Sequence, residues 1–323
     1  MSVSPLERVS TPIERPVSPG GLAWRRMRRS GRLVWGGGFL LLMLLLCVGT
    51  LPLTAGRVAG SRLYFDQQNM TEAWTAPTSS SVPLLLGTDR LGRTMLGRAL
   101  AGGAVSLGIG VMAAAVAVLL GVSVGLISGY AGGWVDNALM RLVDILYSLP
   151  YVLMVILIKI AMEPAFARIM PAQAANLVVL FLAIGLVSWL TMARVVRGQV
   201  LSLRNQPFIE AGRAMGLPRW RILILHVLPN LVGPVIIYAT LTVPQAILQE
   251  SFLSFLGIGI QQPMPTWGSL ASEGLADGLN PVHSRAWLLV VPCALLALTL
   301  LSLNFVGDAL RDVLDPKREQ GKL

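Results

Sequence analysis

Six runs of predominantly apolar residues divide this chain, at roughly 33–53, 100–128, 137–162, 175–195, 231–258 and 286–306. About 20 such residues in an α-helix cover the hydrocarbon thickness of a bilayer, so each run is a candidate spanning helix. The 323 residues are 54% hydrophobic and 13% charged. A soluble domain could not bury that much apolar surface, which makes the bilayer the expected solvent. The expected fold class is an all-α membrane protein with six transmembrane helices. The second run, "GGAVSLGIGVMAAAVAVLLGVSVGLISG", is rich in small residues and suits close helix–helix packing. Pro150, Pro234, Pro244 and Pro292 lie within or near spans, as kinks that a bundle tolerates when neighbours satisfy the freed carbonyls.

The net charge is +10, but the positive residues flank apolar runs and are not interleaved with stacking aromatics, so nucleic acid is not an expected partner. With the N-terminus inside, eighteen Lys and Arg fall on cytosolic segments and seven on outer ones. That bias places both termini in the cytosol. The long outer loop, which holds Arg57, Arg62, Arg90, Arg93 and Arg98, is an exception, expected as a small ordered element. Cys47 and Cys293 each sit in an apolar run and offer neither metal-ligand spacing nor a disulfide framework. The Arg-rich N-terminus leads into an uncleaved first span, after a disordered tail rich in Pro and Ser.

Between the fourth and fifth spans lies "FIEAGRAMGLPRWRILILHVLPN", residues 208–230. Asn205 is available as an N-cap, Pro207 suits a first turn, and Gly216 with Pro218 supplies a stop, so the spacing predicts a helix of two to three turns. Such a helix is marginal alone and must be held by packing. Phe208, Ala211, Gly212 and Met215 share one small-to-apolar stripe, with Glu210 and Arg213 on a polar side. From Arg219 to Leu228 a second segment leads along the membrane face into the fifth span. The residues alone leave two readings open: a solvated interfacial loop, or a docking helix for a cytosolic partner.

Several motifs together carry a resemblance. "EAGRAMG" followed by "HVLPN", "LGTDRLGRTMLGRALAGGAVSLGIG" at 86–110, "GGWVDNALMRLVDILYSLP" at 132–150, "ESFLSFLGIGIQQPMPTWGSL" at 250–270 and "NFVGDALRDVLDP" at 304–316 occur in order. The chain resembles ABC-importer permeases of the dipeptide/oligopeptide/nickel subfamily, of the C-subunit type, over about residues 80–316 plus the preceding span. The resemblance implies a type I ABC-importer permease fold. Its organisation would be a basic cytosolic tail at 1–32, a first helix at 33–53, an extracytoplasmic loop at 54–99 and a five-helix core at 100–306. The core would contain a coupling loop at about 196–229, and a second cytosolic tail would follow at 307–323. It also implies partners: a homologous second permease forming a heterodimer, two cytosolic ATPases holding ATP and Mg, and an extracytoplasmic solute-binding protein. The loop helix Phe208–Gly216 would dock on an ATPase. No phosphate-binding G-x-x-x-x-G-K-[ST] occurs in the chain, so no cofactor is expected in this subunit. The second Ala of the family's loop pattern is Gly212 here, a change expected to allow closer approach to the partner.

Among intramembrane charges, Glu250 is the candidate for lining the translocation path, with an interhelical hydrogen bond as the alternative. Asp144 is expected to pair locally with Arg141, and Lys159 to snorkel from an outer span end. Asp89 and Arg93 in the outer loop, and Trp267 in the last one, are candidates for contacting the binding protein or gating the outer mouth. Each has a structural alternative: an ordered loop for the first two, interfacial anchoring for Trp267. His226 and His283 are expected on opposite sides of the membrane. The expected function is an importer permease for dipeptides or oligopeptides. Nickel or another small solute is the alternative within the subfamily, and an ion-coupled secondary transporter the alternative outside it.

Overall fold

The computed structural model describes residues 31–56, 58, 60–279 and 284–314. The expected N-terminal tail up to residue 30, the tail from 315 onward and His283 lie outside the described residues. The described chain is helical throughout its regular parts. Its helices are α1 (Gly31–Gly49), α2 (Met95–Ala131), α3 (Gly133–Tyr147), α4 (Tyr151–Phe166), α5 (Ala172–Leu203) and α6 (Pro207–Ala214). They continue as α7 (Arg219–Phe255), which holds a π-helical turn at Leu223–Val227, α8 (Trp267–Gly278) and α9 (Trp287–Leu314). The last span therefore continues through part of the stretch expected as a cytosolic tail. Residues 60–94 form an ordered cap of turns and two short 3₁₀ helices.

Packing centres on α2 and α5. Gly121, Gly125 and Gly129 recur every four residues, which puts them on one face of α2. A Cβ at these positions would lie 2.5 Å from Met192 Cβ, 2.5 Å from the Ala193 carbonyl and 2.8 Å from Val200 Cβ. Gly185 on α5 is matched in turn by Val116 of α2, at 2.7 Å. The backbones thus approach as closely as small residues allow, the expected role of the Gly- and Ala-rich second run. Both helices advance together through these contacts, so α2 and α5 are parallel. Two parallel neighbours require the chain between them to return to its starting side. The only segments available are α3 and α4.

There the kink expected near Pro150, within the span at 137–162, is a sharp elbow. The α3–α4 pair bends by 96° at Ser148–Pro150. Pro150 disfavours helical geometry at the preceding Leu149 and starts the new helix, which makes the break local to this tripeptide. Counting the bent pair as one crossing gives six spans, and six crossings put both ends of the described chain and α6 on the same side.

Two further expectations about charges are corrected. Lys159 does not snorkel: it is buried on α4 and donates to the carbonyl oxygens of Ile258 and of Gly259, the latter at 2.8 Å. These carbonyls lie in the turn after α7, so the ammonium supplies partners for loop backbone in an apolar setting. Asp144 does not pair with Arg141 but with Arg194 of α5, at 2.8 Å. The Arg194 guanidinium also stacks 4.1 Å over the Tyr147 ring.

Substituting Gly125→Val should force α2 from α5. Overpacking of this kind costs typically about 1–3 kcal/mol, read as a lowered thermal midpoint in detergent. Gly233→Ala is the contrast, because a Cβ there meets nothing within 4 Å; its midpoint should hold or rise.

Candidate functional site

Helix α6 is short, and its seating explains why it is formed. The N-cap is Gln206 rather than the expected Asn205, and it makes no side-chain capping bond; Pro207 occupies the first position. Gly216 adopts φ +75°, the left-handed conformation that ends a helix and that glycine enters without strain. Glu210 lies in the first turn and Arg213 in the last, each of the sign that the helix dipole favours. Holding α6 in place falls to Ile209, fully buried in a cluster with Met192, Val196 and Val200 of α5 and with Ile222, Val227 and Leu231 of α7.

The predicted stripe divides between two faces. Gly212 is buried and faces inward, where a Cβ would meet Leu217 and Ile222 at 3.6–3.9 Å. The expectation that Gly212 lets a partner come closer is therefore corrected: its face is turned to its own chain. Phe208, Ala211 and Met215 face outward, Met215 being 73% exposed. Glu210, Arg213 and Gly216 are exposed beside them. A cavity of about 630 Å³ opens between α6, the start of α7 and the end of α2, bordered by Arg213, Arg219, Trp220 and Tyr130. The result is an apolar knob edged with charge, on a helix anchored from behind.

The anchor continues into the bundle. Arg197 of α5 donates to both carboxylate oxygens of Asp136 on α3, at 2.6 and 2.7 Å, and Ser128 of α2 donates to the same carboxylate. With Arg194–Asp144, two ion pairs join α5 to the first half of the broken span.

Beyond the elbow, α3, α4, α5 and α7 enclose a second cavity of about 520 Å³. Its polar lining comes from Tyr151, Ser188, Thr191, Thr242, Gln245 and Gln249. On α7 the residues Tyr238, Thr242, Gln245 and Gln249 all border it, a helical stripe that a reading focused on charges passes over. Glu250, the path candidate, is 0% exposed and turned away from this cavity. It accepts from Ser106 of α2 at 2.9 Å, Ser254 at 2.8 Å and Ser251 at 3.3 Å. Of the two readings for Glu250, the geometry matches the interhelical hydrogen bond.

The outer candidates are likewise internal. Trp267 is completely buried at the start of α8, donating its indole N–H to the Ala99 carbonyl at 3.0 Å and packing where Gly103 leaves room. Asp89 and Arg93 are buried in one ionic cluster. Asp89 accepts from Arg93 Nε at 2.7 Å and from Arg98 at 2.9 Å, while Arg98 makes paired bonds of 2.6 and 2.9 Å to Glu273 of α8. Burial opposes the charge on Arg93, but the Asp89, Glu273 and Asp66 carboxylates together outweigh it and hold the guanidinium pKa above its ordinary value. These residues lock the cap onto α2 and α8; they present no open surface. Arg98 and Glu273, absent from the sequence-based candidates, are 175 positions apart and carry no local signal.

Among known proteins, the family described as binding-protein-dependent transport system inner membrane component matches residues 121–320. An oligopeptide transport system permease protein, OppC, of Haemophilus influenzae is 45% identical over 249 residues, covering 77% of this chain and 74% of that protein. The dipeptide transport system permease protein DppC of Bacillus subtilis is 38% identical over 295 residues, covering 91% and 85%. A solved chain of the MetNI methionine ABC transporter, in an inward-facing conformation, has the same fold with a TM-score of 0.52 at 20% identity, over 68% of this chain and 97% of that one.

Two substitutions test the geometry. Gly212→Ala should fit without displacement and stabilise α6 by up to about 1 kcal/mol, seen as slower amide exchange at 207–214. Arg98→Met strands buried Asp89 without one of its cations and should cost about 3–5 kcal/mol, measured by thermal unfolding.

Proposed function

The chain belongs to the family of binding-protein-dependent transport system inner membrane components, and on that premise we propose that it imports peptides by docking a cytosolic ATPase through α6. It is a multi-pass inner-membrane permease subunit, and its bundle forms part of a translocation path. The observation that carries the docking reading is the division of α6. Ile209 and Gly212 fasten the helix to α5 and α7, while Phe208, Ala211 and Met215 stand free beside Glu210, Arg213 and Gly216. A headgroup-binding loop needs no helix fastened so firmly; a helix that must transmit force does. The surplus of Lys and Arg on this side supports a cytosolic location for α6 and both termini.

The partners follow from the family: a homologous second permease, heterodimeric in this reading, two ATPases that hold ATP and Mg, and an extracytoplasmic binding protein. This subunit hydrolyses nothing itself. Peptides are the substrate class supported by the relatives named for oligopeptide and dipeptide transport. In the working cycle, the ATPases close and displace α6. Its buried back face carries the displacement to α5, and the Arg194–Asp144 and Arg197–Asp136 pairs pass it to the α3–α4 elbow that borders the inner cavity. The buried cap at Asp89, Arg93 and Arg98 and the wedge at Trp267 hold the outer ends of α2 and α8 while the inner ends move.

The test is transport by the assembled complex. Glu210→Ala removes the polar edge of the knob, and Gly216→Pro forbids the positive φ that ends α6. Each should leave the protein inserted but reduce ATP-driven peptide uptake by about tenfold or more, equivalent to about 1.4 kcal/mol of coupling. Phe208→Asp with Met215→Asp should abolish co-purification of the ATPases. Normal uptake in both single variants would sink the docking reading. ATP-independent uptake driven by an ion gradient would favour a secondary transporter instead.

A further inference from the structure

We propose that the cavity between the elbow, α5 and α7 recognises the main chain of a passing peptide and ignores the charge of its side chains. This rests on the peptide-importer reading above and specifies what the path selects. Three observations carry it. First, the lining among the described residues contains Tyr, Ser, Thr and Gln but no Asp, Glu, Lys or Arg. Arg194, paired with Asp144, stacks over the Tyr147 ring, and of these three only Tyr147 borders the chamber.

Second, the polar groups converge from three elements within a greasy bundle. Polar side chains at such depth are costly and seldom placed there without use. Thr242, Gln245 and Gln249 lie on one stripe of α7, facing Ser188 and Thr191 of α5 and Tyr151 of α4. Third, hydrogen-bonding capacity is left over. Tyr151 donates to the Gln249 carbonyl oxygen, leaving the Gln249 NH₂ without a partner among the described residues. Gln245 is exposed to the cavity and has none at either end of its amide.

A peptide unit brings one N–H donor and one C=O acceptor whatever side chain it carries. A glutamine amide offers the complementary pair, so two such amides with surrounding hydroxyls match the part that all peptides share. A fixed charge here would act differently. It would attract one class of side chain and repel another, stalling some peptides and excluding others. The volume of about 520 Å³ is suited to a small ligand.

The experiment uses the complete transporter in proteoliposomes with its binding protein. Uptake is followed for trialanine and for tripeptides with a central glutamate or lysine, each normalised to its occupancy of the binding protein. The wild type should treat the three alike within about threefold. Gln245→Glu places a carboxylate in the chamber at an already exposed position, and the ratio of glutamyl peptide to trialanine should fall by about tenfold or more. Gln249→Leu removes an amide that every peptide uses, and uptake of all three should decline together. An unchanged ratio in Gln245→Glu, as for a lipid-filled groove, would overturn the proposal, as would wild-type discrimination by charge beyond tenfold. A wild type that takes up none of the three would overturn the peptide reading itself, and the chamber with it.

Discussion

Hydrocarbon supplies no hydrogen-bond partners, and every charge that this chain carries into its bundle is therefore answered from within. Lys159 is held by two carbonyl oxygens beyond the end of α7. Three serine hydroxyls on two helices surround Glu250. Asp136 meets Arg197 and Ser128 together. Each of these charges is answered at least in part from outside its own helix. A residue that composition alone marks as functional can thus be a cross-link, and the cost of burial is what fixes helix register. Gln245 and the Gln249 NH₂ differ from the buried unpartnered atoms, such as Asn176 Oδ1 and Thr299 Oγ1, in that they border a cavity.

The α2–α5 contact is the second constraint. Glycine at positions 121, 125 and 129 removes the side-chain layer between two helices, leaving a pair that moves as one body. Because the pair is parallel, the chain must cross back between them, and it does so through a helix broken at Pro150. The break places Tyr147 and Tyr151 at the cavity and α3 within reach of Arg194 and Arg197. A close-packed helix pair, a bent neighbour and two ion pairs between them connect α6 with the helices that border the cavity.

Much of this was legible from residues alone, for identifiable reasons. Long apolar runs need no partner to be recognised, and the helix at α6 announces itself through Pro207 and Gly216. The ordered outer cap was expected from its length and charge, and the glycine-rich packing face from composition. What failed had distant causes. The kink at Pro150 was expected but not its 96° bend, because both halves are apolar and a length window joins them. Asp144 chose Arg194, 50 positions away, over the nearby Arg141, which no local spacing could signal. Trp267, Asp89 and Arg93 looked available to partners because they lie in loops by hydropathy, whereas contacts with α2 and α8 bury them. The stripe Thr242, Gln245 and Gln249 was visible by period, but weak polar residues attract less notice than Glu250 beside them.

Gln249 and Glu250 show how one helix separates two tasks. Adjacent residues on an α-helix point about 100° apart, so Glu250 faces α2 and α8 while Gln249 faces the cavity. Exchanging the two would be ruinous for opposite reasons. A carboxylate facing the path would impose a charge preference on whatever passes, and an amide facing α2 would leave the serine hydroxyls with a weaker acceptor. Keeping the acid inside the packing and the amide in the chamber lets the outer end of α7 be fastened by hydrogen bonds to the acid while the chamber lining carries no charged residue. The same division governs α6, where Gly212 and Ile209 hold and Phe208 and Met215 reach. In both helices one turn of sequence is sorted by direction: one face bonds to the chain's own fold, and the other is left for what the fold must meet.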